Sequence, residues 1–179
     1  MRPALLPRIG LLALCGCAAL AAAQPKSDWE LEQEKRDWKE IEVSLPALPK
    51  SSGLIEFSVS AASSMKFFVD PQSLSVGADG VVRYTMVARS PAGAETVSYE
   101  GIRCTSDSYR VYAIASGEAW KRSDTDWRPI ETAGQLRRWH NVLRSEYFCP
   151  MGVPIYKAAE GVDALRRGGH PSVKDGRRY

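Results

Sequence analysis

The sequence predicts an α+β domain: an antiparallel sheet of about five to seven strands, with N- and C-terminal flanking helices and one disulfide. Three observations lead to this prediction. Short segments that alternate apolar and polar residues follow one another between residues 54 and 130, separated by turn residues. Helix-favouring segments occur before residue 43 and after residue 131. Cys104 and Cys149 are the cysteines that remain once the N-terminal segment is set aside.

Residues 1–23 have the pattern of an export signal. Arg2 and Arg8 frame its basic start, an apolar run covers residues 9–20, and three alanines end it at residue 23. We therefore predict a signal peptide and a periplasmic mature protein. Residues 14–17 also resemble a bacterial lipobox, in which Cys17 would be lipidated. The alternative localisation is therefore an outer-membrane lipoprotein, and both processing routes stay open.

The composition is that of an ordinary soluble globular domain, with 44% hydrophobic and 25% charged residues. No second apolar run approaches the roughly 20 residues that span a bilayer. The formal charge of +3 includes Arg2 and Arg8 of the signal, so the mature chain is close to neutral. This balance gives no reason to expect a nucleic-acid partner. We expect membrane contact only if Cys17 is lipidated.

Residues 24–53 are predicted to form a charged helical arm followed by a proline-rich linker. Ser27 and Glu30 have the spacing of a capping box, and residues 28–42 are rich in helix formers. Pro46 and Pro49 then favour extended backbone, because a residue that precedes proline avoids the helical region.

Residues 54–156 are predicted to be the α+β core domain. Asp70 and Pro71 are predicted to end its second strand, and Asp79 with Gly80 to form a hairpin turn. A last hairpin is predicted with Trp120 and Trp127 near its two arms. The predicted strands are 54–60, 66–70, 73–76, 81–89, 95–103, 109–115, 118–122 and 127–130.

A helix is predicted over residues 132–145, where apolar residues recur at three- and four-residue spacing. Cys149 lies just past its end. Residues 157–179 are predicted to be a basic, partly disordered tail, in which a short helix at 158–167 fits the sequence and the chain beyond Gly168 is disordered.

Cys104 and Cys149 allow a single pairing once Cys15 and Cys17 are processed with the signal. Closing a loop of about 45 residues would cost the unfolded chain roughly 4 kcal/mol in conformational entropy. Zinc and redox sites usually show CxxC spacing, which this pair lacks. We therefore predict a structural disulfide that joins the sheet to the late helix, and no metal or other cofactor.

Five residues are candidates for binding: Arg83, Glu100, Arg103, Trp120 and Trp127. An arginine at position 83 or 103 can grip a carboxylate or phosphate, or can pair with Glu100 as a structural ion pair. The two tryptophans can line a cleft or fill the core. In both cases the structural interpretation is favoured.

The runs 68–77, 79–85, 98–104 and 146–149, together with Trp120 and Trp127, resemble the CNP1-like (cryptic-neisserial-protein-like) family of exported bacterial proteins. The resemblance extends from about Trp38 to Tyr156. It implies an exported α+β domain with paired cysteines, and it supplies no activity.

We predict a non-catalytic binding or structural domain of the cell envelope, whose partner is an unknown envelope protein or a small ligand. No catalytic residue is assigned, since His140 has no hydrolase signature around it. The alternative is a hydrolase-like enzyme that uses Asp70 and Glu100 in an aromatic-lined cleft. A deep pocket that holds a carboxylate with a shifted pKa would favour the enzyme.

Overall fold

The computed structural model describes Ser27 and residues 37–131 and 139–174. Seven strands of this part of the chain form one antiparallel sheet, which confirms the predicted fold class. Strands β1 to β6 lie in chain order, and β7 pairs with β5. The strands are β1 (Ile55–Phe57), β2 (Lys66–Val76), β3 (Val81–Arg89), β4 (Glu95–Arg103), β5 (Ser108–Ser116), β6 (Ala119–Arg122) and β7 (Arg128–Pro129).

The centre of the sheet is the hairpin of β3 and β4, which pair along their whole length. The turn before β3 is closed by a hydrogen bond of 2.9 Å from the Gly80 amide to the Gly77 carbonyl. Gly80 has a φ of 74°, which glycine adopts without steric cost. All residues of β3 except Arg89 are buried, so both faces of the sheet are covered at its centre.

Strand β2 is continuous, whereas the sequence predicted two strands separated at Asp70 and Pro71. The pairing with β3 is irregular between residues 70 and 75. Within this irregularity the Ser73 hydroxyl donates to the Asp70 carbonyl (2.9 Å) and accepts the Thr85 amide (2.8 Å). A side chain thus supplies an acceptor where the ladder is interrupted, and proline is tolerated within the bulged strand.

The last two predicted strands do not form the expected hairpin. Strand β6 pairs with the C-terminal half of β5, and β7 pairs with its N-terminal end. The segment between them also follows β5: the Ser123 amide donates to the Tyr112 carbonyl, and the Thr125 hydroxyl donates to the Val111 carbonyl. One long strand therefore provides an edge that both short strands share.

One face of the sheet carries the main core beneath the C-terminal helices. The predicted helix over 132–145 is confirmed where it is described: α1 (Trp139–Val142) continues as a π-helical turn, Leu143–Phe148. Residues 132–138 lie outside the described ranges. The sheet contributes Val82, Tyr84, Met86 and Ile102 to this core, and the helices contribute Val142, Leu143, Phe148, Ala164 and Leu165.

The predicted disulfide is confirmed. Cys104 directly follows β4 and Cys149 directly follows the π-helical turn, with their α-carbons 5.5 Å apart. Both cysteines are buried in the main core. The bond therefore joins the end of a central strand to the end of the helix that packs over it.

The opposite face is covered by residues 38–49, which we call the N-terminal strap. The sequence predicted a helix over residues 28–42; residues 28–36 are outside the described part, and the backbone is not helical from Trp38 onward. Trp38 and Glu40 are half-buried, whereas Asp37 and Lys39 are exposed. This alternation is that of extended chain on a surface, and the contacts it permits outweigh helix propensity.

The region predicted as a tail is folded as far as residue 174. Helix α2 (Ala158–Arg166) matches the short predicted helix, and it buries Ala164 and Leu165 against the core. A further helical turn, α3 (Pro171–Lys174), follows where disorder was expected beyond Gly168. Contacts of His170 account for the difference: its amide donates to the Glu146 carbonyl at 2.7 Å, and its ring lies 3.0 Å from the Glu160 carboxylate. Residues 175–179 are not described.

None of the helices described has the length and hydropathy needed to cross a bilayer. Cys17 and the rest of the predicted signal peptide fall outside the described residues, so the predicted processing stays a prediction.

We predict that Cys104→Ser lowers the free energy of unfolding by up to about 4 kcal/mol, because the unfolded chain loses a cross-link of about 45 residues. Thermal denaturation in oxidising buffer measures the loss. Reductant should destabilise the native protein to a similar extent and leave the variant unchanged. Titration of two reactive thiols in the natively produced protein would contradict the disulfide.

Candidate functional site

The strand register divides the predicted site residues between the two faces of the sheet. Arg83 lies opposite Gly101, and Glu100 lies opposite Tyr84. Neighbouring residues of a strand point to opposite sides, so Glu100 faces the main core and Arg83 faces the strap. The expected ion pair between Glu100 and an arginine of the sheet is therefore wrong.

The other four candidates lie together on the strap side, which we call the arginine face. This face consists of Arg83, Arg103, Arg110, Tyr99, Tyr112, Trp120 and Trp127. The structure thus brings Arg83, Arg103, Trp120 and Trp127 to one side of the sheet, and it places Glu100 on the other.

The carboxylate of Glu40, from the strap, is held by four donors of the arginine face. Arg110 Nη1 lies 2.8 Å from Oε2, and Arg83 Nη2 lies 3.3 Å from Oε1. The Trp127 indole donates at 3.3 Å, and the Tyr112 hydroxyl donates to Oε1. Burial and the Glu40 carboxylate both raise the pKa of Tyr112, which keeps its hydroxyl protonated as a donor. Such charge-assisted bonds are the strong ones.

Arg83 also forms a buried ion pair with Asp79 in the hairpin turn. Its two terminal nitrogens donate to the two carboxylate oxygens at 3.1 and 2.6 Å, and the side chains are 5% and 1% exposed. Burial alone would raise the pKa of Asp79, but the bonds from Arg83 and from the Ile41 amide lower it below its usual value. Burial likewise opposes the charge of Arg83, yet Asp79 raises its pKa.

Trp38 of the strap occupies an aromatic and cationic site next to this pair. Its ring lies 3.9 Å from the Arg103 guanidinium carbon and meets Trp127 edge to face, with ring centroids 5.7 Å apart. Its indole nitrogen donates to the Asp79 carbonyl at 2.8 Å. Cation–π and edge contacts of this kind favour an aromatic side chain at this place.

The rest of the strap rests on aromatic residues of β4, β5 and β6. Val43 and Leu45 pack against the cluster formed by Tyr99 and Tyr112. The Trp120 indole donates to the Pro46 carbonyl at 2.7 Å. The aromatic residues of this face therefore serve as a platform for the strap, in agreement with the packing role that the sequence favoured.

Gly101 makes the central contact possible. A β-carbon at this position would lie 2.7 Å from the Tyr112 hydroxyl oxygen and 2.9 Å from Val81. The absence of a side chain lets Tyr112 lie flat across β4 and reach Glu40.

Among the described residues that pair on the arginine face, positive groups outnumber negative ones. Three guanidinium groups, of Arg83, Arg103 and Arg110, meet the two carboxylates of Glu40 and Asp79. The Nε atom of each arginine is buried and has no hydrogen-bond partner in the described part of the protein. Burial lowers the pKa of Arg103, whose ring partner Trp38 provides no full charge. This face is consequently suited to acidic groups.

Glu100, on the core face, anchors α1 to the sheet. Its Oε2 accepts from Tyr84 (3.0 Å), Trp139 (3.1 Å) and His140 (2.9 Å), and its Oε1 accepts from Ser98 (2.6 Å). Burial would raise the pKa of this carboxyl, but the bonds from His140, Ser98 and Trp139 lower it below its usual value. His140 is 4% exposed and stacks on a neighbouring ring, which is the setting of a structural histidine.

A half-open apolar groove of about 410 Å³ lies beside Glu100, with Phe67 and Trp139 among its walls. The carboxylate at its base is occupied by four donors, so it has little capacity to act as a general base. Asp70, the second carboxylate of the alternative hydrolase hypothesis, pairs with Thr85 and therefore points to the opposite side of the sheet. The two carboxylates do not share a cleft.

Sequence reasoning missed Glu40 and Asp79 as members of the site. Asp79 was assigned only to the turn, and Glu40 only to the predicted helix. The partners of Glu40 lie 43 to 87 residues away, so no local spacing signals Glu40. Asp79 and Arg83 are four residues apart, and this spacing is a local signal that could have identified their ion pair. Within residues 37–131 and 139–174, no three His, Cys, Asp or Glu side chains are grouped as metal ligands.

Comparisons with known proteins assign this chain to a family. The model of the CNP1-like family matches residues 33–166, a range that includes the strap and the residues of the arginine face. The chain is 29% identical over 143 residues to Cryptic neisserial protein 1 of Neisseria gonorrhoeae, which covers 69% of each chain. No solved structure shows a significant match.

We predict that Glu100→Gln destabilises the protein by roughly 1.5–3 kcal/mol at pH 7, because hydrogen bonds to a charged carboxylate are replaced by weaker ones. The pKa of Glu100 is lower in the folded than in the unfolded chain, where it is about 4.3. Its stabilisation is therefore present above about pH 4.3 and lost as the pH falls through the folded value.

Urea unfolding at pH 7, 5 and 3.5 measures this effect. The native protein should lose more stability than Glu100→Gln over the acid part of this range. Glu118→Gln, at an exposed position, provides the matched control and should behave as the native protein does. Equal losses in the native protein and in Glu100→Gln would show that the carboxylate is not a charged anchor.

Proposed function

We propose that this chain, which belongs to the CNP1-like family, works in the cell envelope as a non-catalytic domain that binds another protein. The observation that carries the proposal is the arginine face. Its side chains hold a carboxylate, an indole ring and a backbone carbonyl of an extended segment. Proteins bind extended peptides through contacts of this kind.

Two features support work outside the cytoplasm. Residues 1–23 have the order of basic, apolar and small residues that export requires. The bond between Cys104 and Cys149 is buried in the core, and structural disulfides persist mainly in oxidising compartments. The mature protein is then released into the periplasm, or is held at a membrane through lipidated Cys17.

A non-catalytic role is supported by how the buried charges are used. Glu100 is bound by four donors and Asp79 is paired with Arg83, so each is committed to holding the fold. Acid–base chemistry needs a group that can exchange a proton with a substrate at hydrogen-bond distance. Binding needs only an accessible surface, and an open groove of about 630 Å³ lies along the strap between Val43 and Arg122.

We predict that the protein is recovered from the envelope without residues 1–23, or with a lipidated Cys17 as its first residue. Cell fractionation followed by intact-mass measurement distinguishes the two forms. Cys17→Ala should release a membrane-bound form and should leave a released form unchanged. An unprocessed chain in the cytoplasm would contradict the proposed location.

We further predict that a photoreactive amino acid at Asp124, an exposed position on the wall of the open groove and outside the strap, forms a discrete covalent adduct in intact cells. The same group at Ala92, in the turn at the far end of the β3–β4 hairpin, is the matched control and should give none. Absence of an adduct at Asp124 would contradict protein binding at this face. Mass spectrometry of the adduct distinguishes another envelope protein from a second copy.

A further inference from the structure

We propose that the arginine face is a peptide-recognition surface that the strap occupies as an exchangeable internal ligand. The ligand of this surface is an extended acidic segment with an aromatic residue two positions before a glutamate. The inference rests on the proposed binding function and names the class of segment that binds. A partner protein that offers such a segment would displace the strap.

The strap is held in the way that a bound peptide is held. In the described part of the chain, no backbone-to-backbone hydrogen bond joins residues 38–49 to the sheet. Every polar contact between them uses a side chain on at least one side, including the bond from the Ile41 amide to Asp79. The strap is therefore not a strand of the sheet, and its removal leaves the ladder of β1 to β7 intact.

The spacing between the aromatic residue and the glutamate of the ligand follows from two neighbouring subsites on the arginine face. Trp38 fills the first, between Arg103 and Trp127, and Glu40 fills the second. In an extended chain, residues i and i+2 point to the same side. A segment must therefore carry an aromatic ring and a carboxylate two positions apart to fill both subsites. Glutamate reaches the four donors, and a neutral side chain would leave Arg110 without its carboxylate partner and would take one of its two carboxylates from Arg83.

The second half of the strap adds a backbone contact at a proline. Trp120 donates its indole hydrogen to the Pro46 carbonyl, and the strap continues through Pro49. Grooves lined by aromatic residues commonly hold proline-rich peptides by such bonds, because these peptides are already extended before binding. A proline six residues after the glutamate is thus a further feature of the expected ligand.

The connection between the strap and the sheet permits exchange. Residues 50–53 are exposed, and Gly53 has a φ of 97° with open space around its α-carbon. The strap can therefore leave while β1 stays paired with β2. Once the strap has left, the Glu40 carboxylate no longer offsets the charges of Arg83 and Arg110, and the uncovered face attracts acidic segments.

The covalent connection between the strap and the sheet affects how strongly a free peptide can compete. The strap is part of the same chain, so its effective concentration at the face is in the millimolar range. A free peptide at micromolar concentration competes only when the contacts of the strap are weakened. Glu40→Gln weakens the strap and leaves every residue of the arginine face unchanged.

The test uses the full chain in native form, as Glu40→Gln and as Glu42→Gln, with a fluorescent synthetic peptide of residues 37–49 as probe. Glu42 is exposed, so its variant is the matched control. Fluorescence anisotropy should show that the peptide binds Glu40→Gln at least about tenfold more tightly than it binds the native chain or Glu42→Gln. A peptide that itself carries Glu40→Gln should bind about tenfold more weakly.

Two results would overturn the proposal. Failure of the peptide to bind the folded Glu40→Gln chain would show that the strap is a fixed part of the fold. Equal binding of both peptides would show that the carboxylate is not recognised. Circular dichroism and an intact disulfide establish folding; if Glu40→Gln does not fold, Trp38→Phe replaces it, since it removes only the indole donor to the Asp79 carbonyl. The purified chain is used throughout, so the result is independent of export.

Discussion

A carboxylate on each side of the sheet, buried at Glu100 and half-buried at Glu40, determines what covers that side. Glu100 binds Trp139 and His140, which places the first C-terminal helix over one face, and Glu40 binds Arg83 and Arg110, which places the strap over the other. Burial of a charged group is tolerated only when hydrogen bonds and opposite charges surround it. Each carboxylate therefore fixes the position of a whole segment, because a shifted segment would leave the charge without partners.

The parts of the fold that follow from local sequence were predictable. Strands β3 and β4 were predicted with their observed limits, since alternation and the turn at Asp79 and Gly80 depend on neighbouring residues alone. The disulfide followed from the small number of cysteines. The first part of the strap, residues 38–42, was predicted as the end of a helix because its residues favour helices locally, whereas its extended form depends on partners such as Trp127 that lie far along the chain. The proline-rich part of the strap was predicted to be extended.

The candidate site was predictable in composition but not in geometry. Arg83, Arg103, Trp120 and Trp127 were recognised as residues suited to binding, and they do share one face. The predicted ion pair between Glu100 and an arginine was wrong, because the strand register decides which residues point to the same side. Register is a property of the assembled sheet. The true acidic partners come from a turn and from the strap. Asp79 is only four residues from Arg83, whereas Glu40 has no distinctive local pattern.

The borders of the sheet have a consequence for behaviour at high concentration. Along one border, β6 and β7 together cover most of β5. Along the other, β1 covers the first part of β2, and Pro71 with the bulge interrupts the remainder. Unpaired, regular strand edges are what allow separate molecules to join into continuous intermolecular sheets. The short strands and the bulge thus protect this protein against aggregation, and the single proline within β2 has a protective role that its local sequence does not reveal.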